Sequence, residues 1–442
     1  MRKRAAILHI GAEKTGTSAI QYMLTERRGE LAGLGMHYPQ SLGPMSHIGL
    51  AIYAADEATE DMKPVMAEFL GVQTLDERMI EESLAWEMAS LPPSIHTVIF
   101  SSEHCHSRLV YPSHVERLRN LLAPYFETVT VLVYLRRQDE MASSSYSTRL
   151  RAGEWNVDLL PKFPPPALHV EEGEEYNPSQ YFNFKPMLDF YAQFFGKQNV
   201  VPRIYDRQAL AGGDVLTDFL EFCSLPPRLA ENIENMEVAN RALAAPGQDF
   251  LDALNAFYGA DGRQDELFAR KTRDACINVI ENELTGRPHL PTRAEARAFQ
   301  AQYAEVNEAV RRDWFPNQAQ LFPEDFSRYP ETEPRGGAGW EKEVLQTAFI
   351  IIEALAKDRD WLMSQAAPPP DAPPPSPEEE PAPAVPPSPP EEAERAPALS
   401  PSPPEEAQPA PPPPAPGRLR GWLAAKRVKW HKLPARAASS KS

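Results

Sequence analysis

Residues 6–21 read AILHIGAEKTGTSAIQ, and this stretch decides the fold. The apolar run Ala6 to Ile10 has the length of a buried strand, and Gly11 ends it. From Thr17 onward Ile20, Met23, Leu24 and Leu31 recur at helical spacing, with Glu26, Arg27 and Arg28 between them, so a helix over 17–31 is predicted. Strand, glycine-containing loop and amphipathic helix form the opening unit of an α/β domain that holds an anion. Glycines let backbone N–H groups turn toward the anion, hydroxyls add donors, and the helix N-terminus contributes positive dipole. Gly11, Lys14, Thr15, Gly16, Thr17 and Ser18 supply all of these. The order differs from a nucleoside-triphosphate loop, whose lysine follows the last glycine; here Lys14 precedes Gly16. Such a loop suits a 5'-phosphate group, with Lys14 near a bridging or leaving oxygen.

Further apolar runs at 96–102 (HTVIFSS), 129–135 (VTVLVYL) and 200–205 (VVPRIY) predict buried strands separated by crossover-length segments, hence a mainly parallel sheet. Pro202 cannot donate to a central ladder, which places the last run at an edge or a strand start. Helical patterns follow over 214–225, 241–258, 294–314 and 344–362. The expected fold class is α/β: a P-loop-like three-layer fold with a mainly parallel sheet, a helical second half and a disordered proline-rich C-terminal tail.

The 442 residues exceed one typical domain, and their formal net charge of −17 argues against general nucleic-acid affinity, leaving anion binding to local basic patches. Cys105, Cys223 and Cys276 are an odd, widely spaced set, which is neither a disulfide framework nor a paired zinc motif and fits a reducing compartment. The basic start Met1-Arg2-Lys3-Arg4 is followed by too short an apolar run for a secretion signal, and no stretch approaches the ~18 apolar residues of a spanning helix. A cytoplasmic location is expected.

A second phosphate motif stands at 131–147, VLVYLRRQDEMASSSYS: a strand ends at Leu135, Arg136 follows, and Ser144 comes eight residues later. Arginine binds phosphate bidentately and keeps its charge, and a serine near a helix start adds an oriented hydroxyl. The two motifs together resemble the 5'-phosphosulfate loop and the 3'-phosphate arginine and serine of sulfotransferases that use 3'-phosphoadenosine 5'-phosphosulfate (PAPS). The segments VVPRIYDRQALAGGDVLTDFLEF and YAEVNEAVRRDWFP look like later parts of bacterial members, so the resemblance spans about residues 5–330. Arg137-Gln138 departs from the pair that related carbohydrate enzymes carry there. The resemblance implies a sulfotransferase moving a sulfuryl group from PAPS, without a metal, to a hydroxyl of a carbohydrate or glycoconjugate acceptor by in-line displacement. Gly11, Lys14, Thr15, Gly16, Thr17, Ser18, Arg136 and Ser144 are then the PAPS-binding residues, with Lys14 also offsetting charge on the leaving phosphate.

An acceptor hydroxyl needs a general base. SSEHCH at 101–106 follows a predicted strand, making Glu103 the first candidate and His104 the second; the competing reading of Glu103 is a helix-capping or salt-bridged acid. His47, in PMSHIGLA, is the third candidate, against the reading that it is simply packed. Metal ligation by Glu103, His104, Cys105 and His106 is disfavoured, because consecutive residues at a strand end point to opposite faces.

Four regions are expected: a sulfotransferase-like α/β domain over 1–330, a C-terminal helix and linker over 331–365, a disordered Pro/Glu-rich spacer over 366–417, and a basic amphipathic tail over 418–442. The last interleaves Arg418, Arg420, Lys426, Arg427, Lys429, Lys432 and Arg436 with Leu419, Trp422, Leu423, Val428, Trp430 and Leu433, a pattern that suits either peripheral contact with an anionic membrane at its inner face or a disordered solubilising tail. Two rival functions remain open. A P-loop-type kinase predicts Mg²⁺ dependence, and a non-catalytic nucleotide- or glycan-binding module predicts binding without turnover.

Overall fold

The computed structural model describes residues 4–231, 233, 242–260, 262–264, 266–332 and 343–355. The spacer 366–417 and the basic end 418–442 lie outside the described residues, as do residues 356–362 of the helix expected over 344–362.

β1 (Arg4–His9), β2 (Met36–His37), β3 (Thr97–Ser101), β4 (Phe126–Leu135) and β5 (Val200–Ile204) form one sheet in the order β2-β3-β1-β4-β5. Every pairing is parallel, with Ile7 of β1 opposite Ile99 of β3 on one side and Thr130 of β4 on the other. After β1 come α1 (Thr17–Glu26) and α2 (Arg28–Gly33); β2 leads into α3 (Ile48–Ala54), α4 (Lys63–Leu70) and α5 (Glu77–Ser90). β3 is followed by α6 (His104–Ser107) and α7 (Pro112–Leu122), β4 by α8 (Gln138–Arg151) and α9 (Phe184–Phe195), and β5 by α10 (Val215–Phe222).

Alternate side chains of each central strand enter opposite layers, as a pleated sheet covered on both faces requires. Ala6, Leu8, Val98, Phe100, Val131 and Val133 pack toward α3, α7 and α9, whereas Ile99, Leu132 and Tyr134 pack toward α1 and α10. Fully burying a Leu, Ile or Phe side chain contributes about 1.5–3 kcal/mol, so these two cores fix the layers. β5 is an edge strand, which is where Pro202 was expected.

Several boundaries differ from the periodicity. The helix expected over 17–31 breaks at Arg27, whose guanidinium reaches the Leu229 and Glu231 carbonyls, while that of Arg28 reaches Tyr38 and Pro44. The helix over 294–314 is two, Arg293–Ala301 and Ala304–Trp314, because Tyr303 leaves helical geometry to bury its ring. The helix expected to begin at 241 begins at Ala245 with Pro246 in its first turn, a position where the missing N–H costs nothing. α10 starts after Asp214, whose carboxylate accepts from the Thr217 N–H at 2.9 Å. Residues 343–355 are helical, and Ile351 packs with Leu243, Leu251 and Ile277.

Because the strands are parallel, their C-terminal ends share one edge of the sheet, where open α/β sheets bind ligands. The segments leaving β1, β3, β4 and β5 bring the 10–16 loop, Glu103, Arg136 and Tyr205 to that edge.

Candidate active site

The loop after β1 remains tied to β4: Ile10 N–H donates to the Leu132 carbonyl at 3.0 Å, Ala12 N–H to that of Tyr134 at 3.0 Å, and Tyr134 N–H to that of Gly11 at 2.7 Å. Gly11 has φ +104°, and a Cβ there would stand 3.3 Å from Glu103 Cα, so glycine lets the β3 end approach the loop. Gly16, at φ +79°, is the N-cap of α1 and packs where a Cβ would lie 2.7 Å from Val215 Cγ1. Thr15 is fully buried and its hydroxyl donates to the Ala12 carbonyl at 2.6 Å, which closes the loop on itself. Thr15 therefore shapes the cradle, a correction to its expected role as a hydroxyl donor to phosphate.

Among the described residues, the backbone N–H groups of Lys14, Thr15, Gly16 and Thr17 have no protein acceptor. Successive N–H groups without partners, leading into the N-terminus of a ten-residue helix, have the geometry and the dipole that favour an anion. Thr17 and Ser18 occupy the first turn of that helix.

Cationic side chains surround this nest. Lys14 Nζ donates to Thr148 Oγ1 of α8 at 2.9 Å. Burial, and then the Arg151 and Arg136 charges, push the Lys14 ammonium down to about 8. Arg136 Nη1 donates to the Lys14 carbonyl at 2.7 Å, its Nε to Glu140 at 3.3 Å, and its guanidinium lies 5.3 Å from the Tyr205 ring centroid. Glu140, Ser144 and Thr148 are spaced four apart on α8 and share one helical face. Since Glu140 holds Arg136 and Thr148 holds Lys14, Ser144 is placed between these two contacts, and its hydroxyl has no hydrogen-bond partner among the described residues.

Arg137 and Gln138 do other work. Arg137 pairs with Asp139 at 2.7 Å and donates to the Pro323 and Asp325 carbonyls. Buried Gln138 exchanges hydrogen bonds with Asn307, accepts from Gln300 Nε2 and donates to the Phe182 carbonyl. The unusual pair after Arg136 thus anchors the start of α8 to the helical second half.

Glu103 stands at the N-cap position of α6, yet its side chain makes no capping bond. Instead its Oε2 accepts from Gln21 Nε2 at 2.5 Å and from Ser46 Oγ at 3.2 Å. His104 begins α6 beside it, with its Nδ1 buried and without a hydrogen-bond partner. His47 is fully buried with both ring nitrogens engaged by backbone: Nε2 donates to the Pro39 carbonyl at 2.9 Å, and Nδ1 accepts from Ser101 N–H at 3.0 Å. Burial also pushes it down to about 4. Neither nitrogen is left to take a proton, so its place as third candidate base is corrected: His47 staples the end of β3 to the 39–47 loop. No group of three or more His, Cys, Asp or Glu side chains able to hold a metal occurs among the described residues, and none of their helices is long and apolar enough to cross a membrane.

Sequence reasoning missed Gln21, Ser46, Thr148 and Arg151. Gln21 had a legible signal, a polar residue amid Ile20, Met23 and Leu24 on the buried side of α1. Thr148 lies one turn beyond Ser144.

No family model matches the chain, and no curated protein matches it. Among solved structures, the crystal structure of a sulfotransferase from Alicyclobacillus acidocaldarius is similar at 16% identity and a TM-score of 0.33, covering 61% of this chain and 99% of that one. That activity is the neighbour's own; for this chain, function rests on the residues around Lys14 and Glu103.

Proposed function

We propose that the protein is a PAPS-dependent sulfotransferase acting on a hydroxyl of a carbohydrate or glycoconjugate. The observation that carries the reading is the run of unpartnered N–H groups from Lys14 to Thr17, flanked by the Lys14 and Arg136 cations, with Ser144 on α8 between the residues that hold those two cations. The residues present fit a nucleotide with two separate phosphate groups. The loop and the first turn of α1 suit the 5' group, and Arg136 with Ser144 suit the 3' group. When bound, PAPS supplies the sulfuryl group and its 3',5'-bisphosphate is the leaving group.

The chain's own residues then divide the work. Lys14 places positive charge at the loop. Glu103, two residues past the β3 end at the same edge and within electrostatic reach of Lys14, takes the proton of the acceptor hydroxyl. His104 remains the second candidate for that proton. Gly11 brings base and loop together without a side chain between them.

Incubating the full chain with PAPS and a panel of neutral and anionic oligosaccharides tests the reading, with release of 3',5'-adenosine bisphosphate as readout. Acceptor-dependent release without added Mg²⁺ is expected. Tight nucleotide binding with no release on any acceptor would sink the enzyme reading in favour of a binding module.

A further inference from the structure

Gln21 is fully buried and Ser46 is 1% exposed, and both donate to the same oxygen of Glu103. Gln21 Nε2 also lies 3.4 Å from Ser46 Oγ, so the three side chains form one triangle with two buried corners and a half-buried carboxylate. A primary amide on the apolar side of a helix is costly unless its hydrogen bonds are met. Here the partner is a carboxylate from another element, four residues' travel along α1 from Thr17.

We propose that Gln21 and Ser46 are positioning residues for the base: they keep Glu103 ionised and aimed, and Gln21 locks it to the helix whose N-terminus cradles the nucleotide. This rests on the functional reading above. A carboxylate that accepts hydrogen bonds is stabilised in its charged form, and removing the donors raises its pKa. Glu103 has other electrostatic neighbours: His9 on β1, Lys14 in the loop, Tyr38 after β2, Cys105 on α6 and Tyr181 in the segment 178–182. Lys14 also favours the ionised form. The Gln21 and Ser46 bonds act on top of it and reach only one oxygen, which fixes the rotation of the carboxylate as well as its charge.

The test is a carbon-13 titration of Glu103 in full-length protein carrying labelled glutamate, saturated with 3',5'-adenosine bisphosphate and assigned with Glu103→Gln. Gln21→Met keeps the side chain's volume and removes its donor; Ser46→Ala is the milder variant should the first not fold. The Glu103 pKa is expected to rise by about one unit or more in Gln21→Met and by less in Ser46→Ala. The acid limb of sulfuryl transfer to the oligosaccharide panel should move up with it. A carboxyl whose titration is unmoved in both variants overturns the positioning role alone. A carboxyl that titrates higher while the acid limb stays in place overturns the assignment of Glu103 as base, and this role for Gln21 with it.

Discussion

Lys14 is held close to its own discharge. Burial and the charges of Arg151 and Arg136 push it down to about 8, and an arriving phosphate reverses that balance by adding negative charge. Nucleotide affinity should therefore fall as the pH rises through 8, because the free protein's ammonium gives up its proton there and the anion must restore it. Calorimetric titrations between pH 7 and 9.5 should show proton uptake on binding that grows with pH, and Lys14→Arg should flatten both trends, since guanidinium stays charged. Replacing Glu103 by Gln should lower transfer by about 10²- to 10⁴-fold, the usual worth of a general base, while 3',5'-adenosine bisphosphate still binds. Wild-type turnover in that variant would move the base to His104. The choice among candidate bases was only half legible in sequence. Glu103, His104 and His47 all lie near predicted strand or helix ends, but what separates them is who else bonds to them. The two backbone bonds that occupy His47 come from Pro39 and Ser101, distant in sequence and joined only by the fold.

The loop and α1 work as one element because Gly16 allows the turn between them. An alanine there must hold φ near +79° and push against Val215, at about 1–2 kcal/mol for the left-handed backbone alone. Gly16→Ala is expected to weaken nucleotide binding and lower the melting temperature. Adding Val215→Ala should recover part of the stability and little of the affinity, because the backbone strain remains; full recovery of binding in the double variant would contradict this account of the loop. At this scale the sequence was most informative. The strand, loop and helix of 6–26 follow from apolar run, glycine and 3.6-residue period, all local properties. What was illegible were the breaks. Arg27 and Tyr303 interrupt their helices in favour of tertiary partners, and β2 is only two residues long, too short for any period to show.

Across the whole molecule, His9, His47 and His106 are buried and each is pushed down to about 4 by that burial. Their unfolded-state values lie near 6.5, so between pH 6.5 and 4 the unfolded chain binds protons that the folded chain refuses. Stability is therefore unaffected by these groups above 6.5 and is lost progressively as the pH falls from 6.5 toward 4, by at most on the order of 3 kcal/mol apiece. Melting temperatures from pH 7.5 to 4.5 should fall over that window, and His47→Asn should shrink the fall while lowering stability at pH 7.5. A melting temperature independent of pH down to 4.5 would contradict the burial of these rings. Gln138 has a comparable reach, since Gln138→Leu strands Asn307, Gln300 and the Phe182 carbonyl, each worth about 1–3 kcal/mol when buried without a partner. Thermal denaturation should then show a loss of a few kcal/mol with the two ends of α8 unequally protected from hydrogen exchange.

The central claim is that one edge of the sheet holds two phosphate groups at once, one on the Lys14 loop and one on Arg136. The most direct measurement is a calorimetric titration, without Mg²⁺, of 3',5'-adenosine bisphosphate against 5'-AMP on the parent chain and on Arg136→Ala. The account predicts a strong preference for the bisphosphate that disappears in the variant, with 5'-AMP bound about equally by both proteins. Equal affinity for the two nucleotides in the parent, or a preference that survives the loss of Arg136, would contradict it.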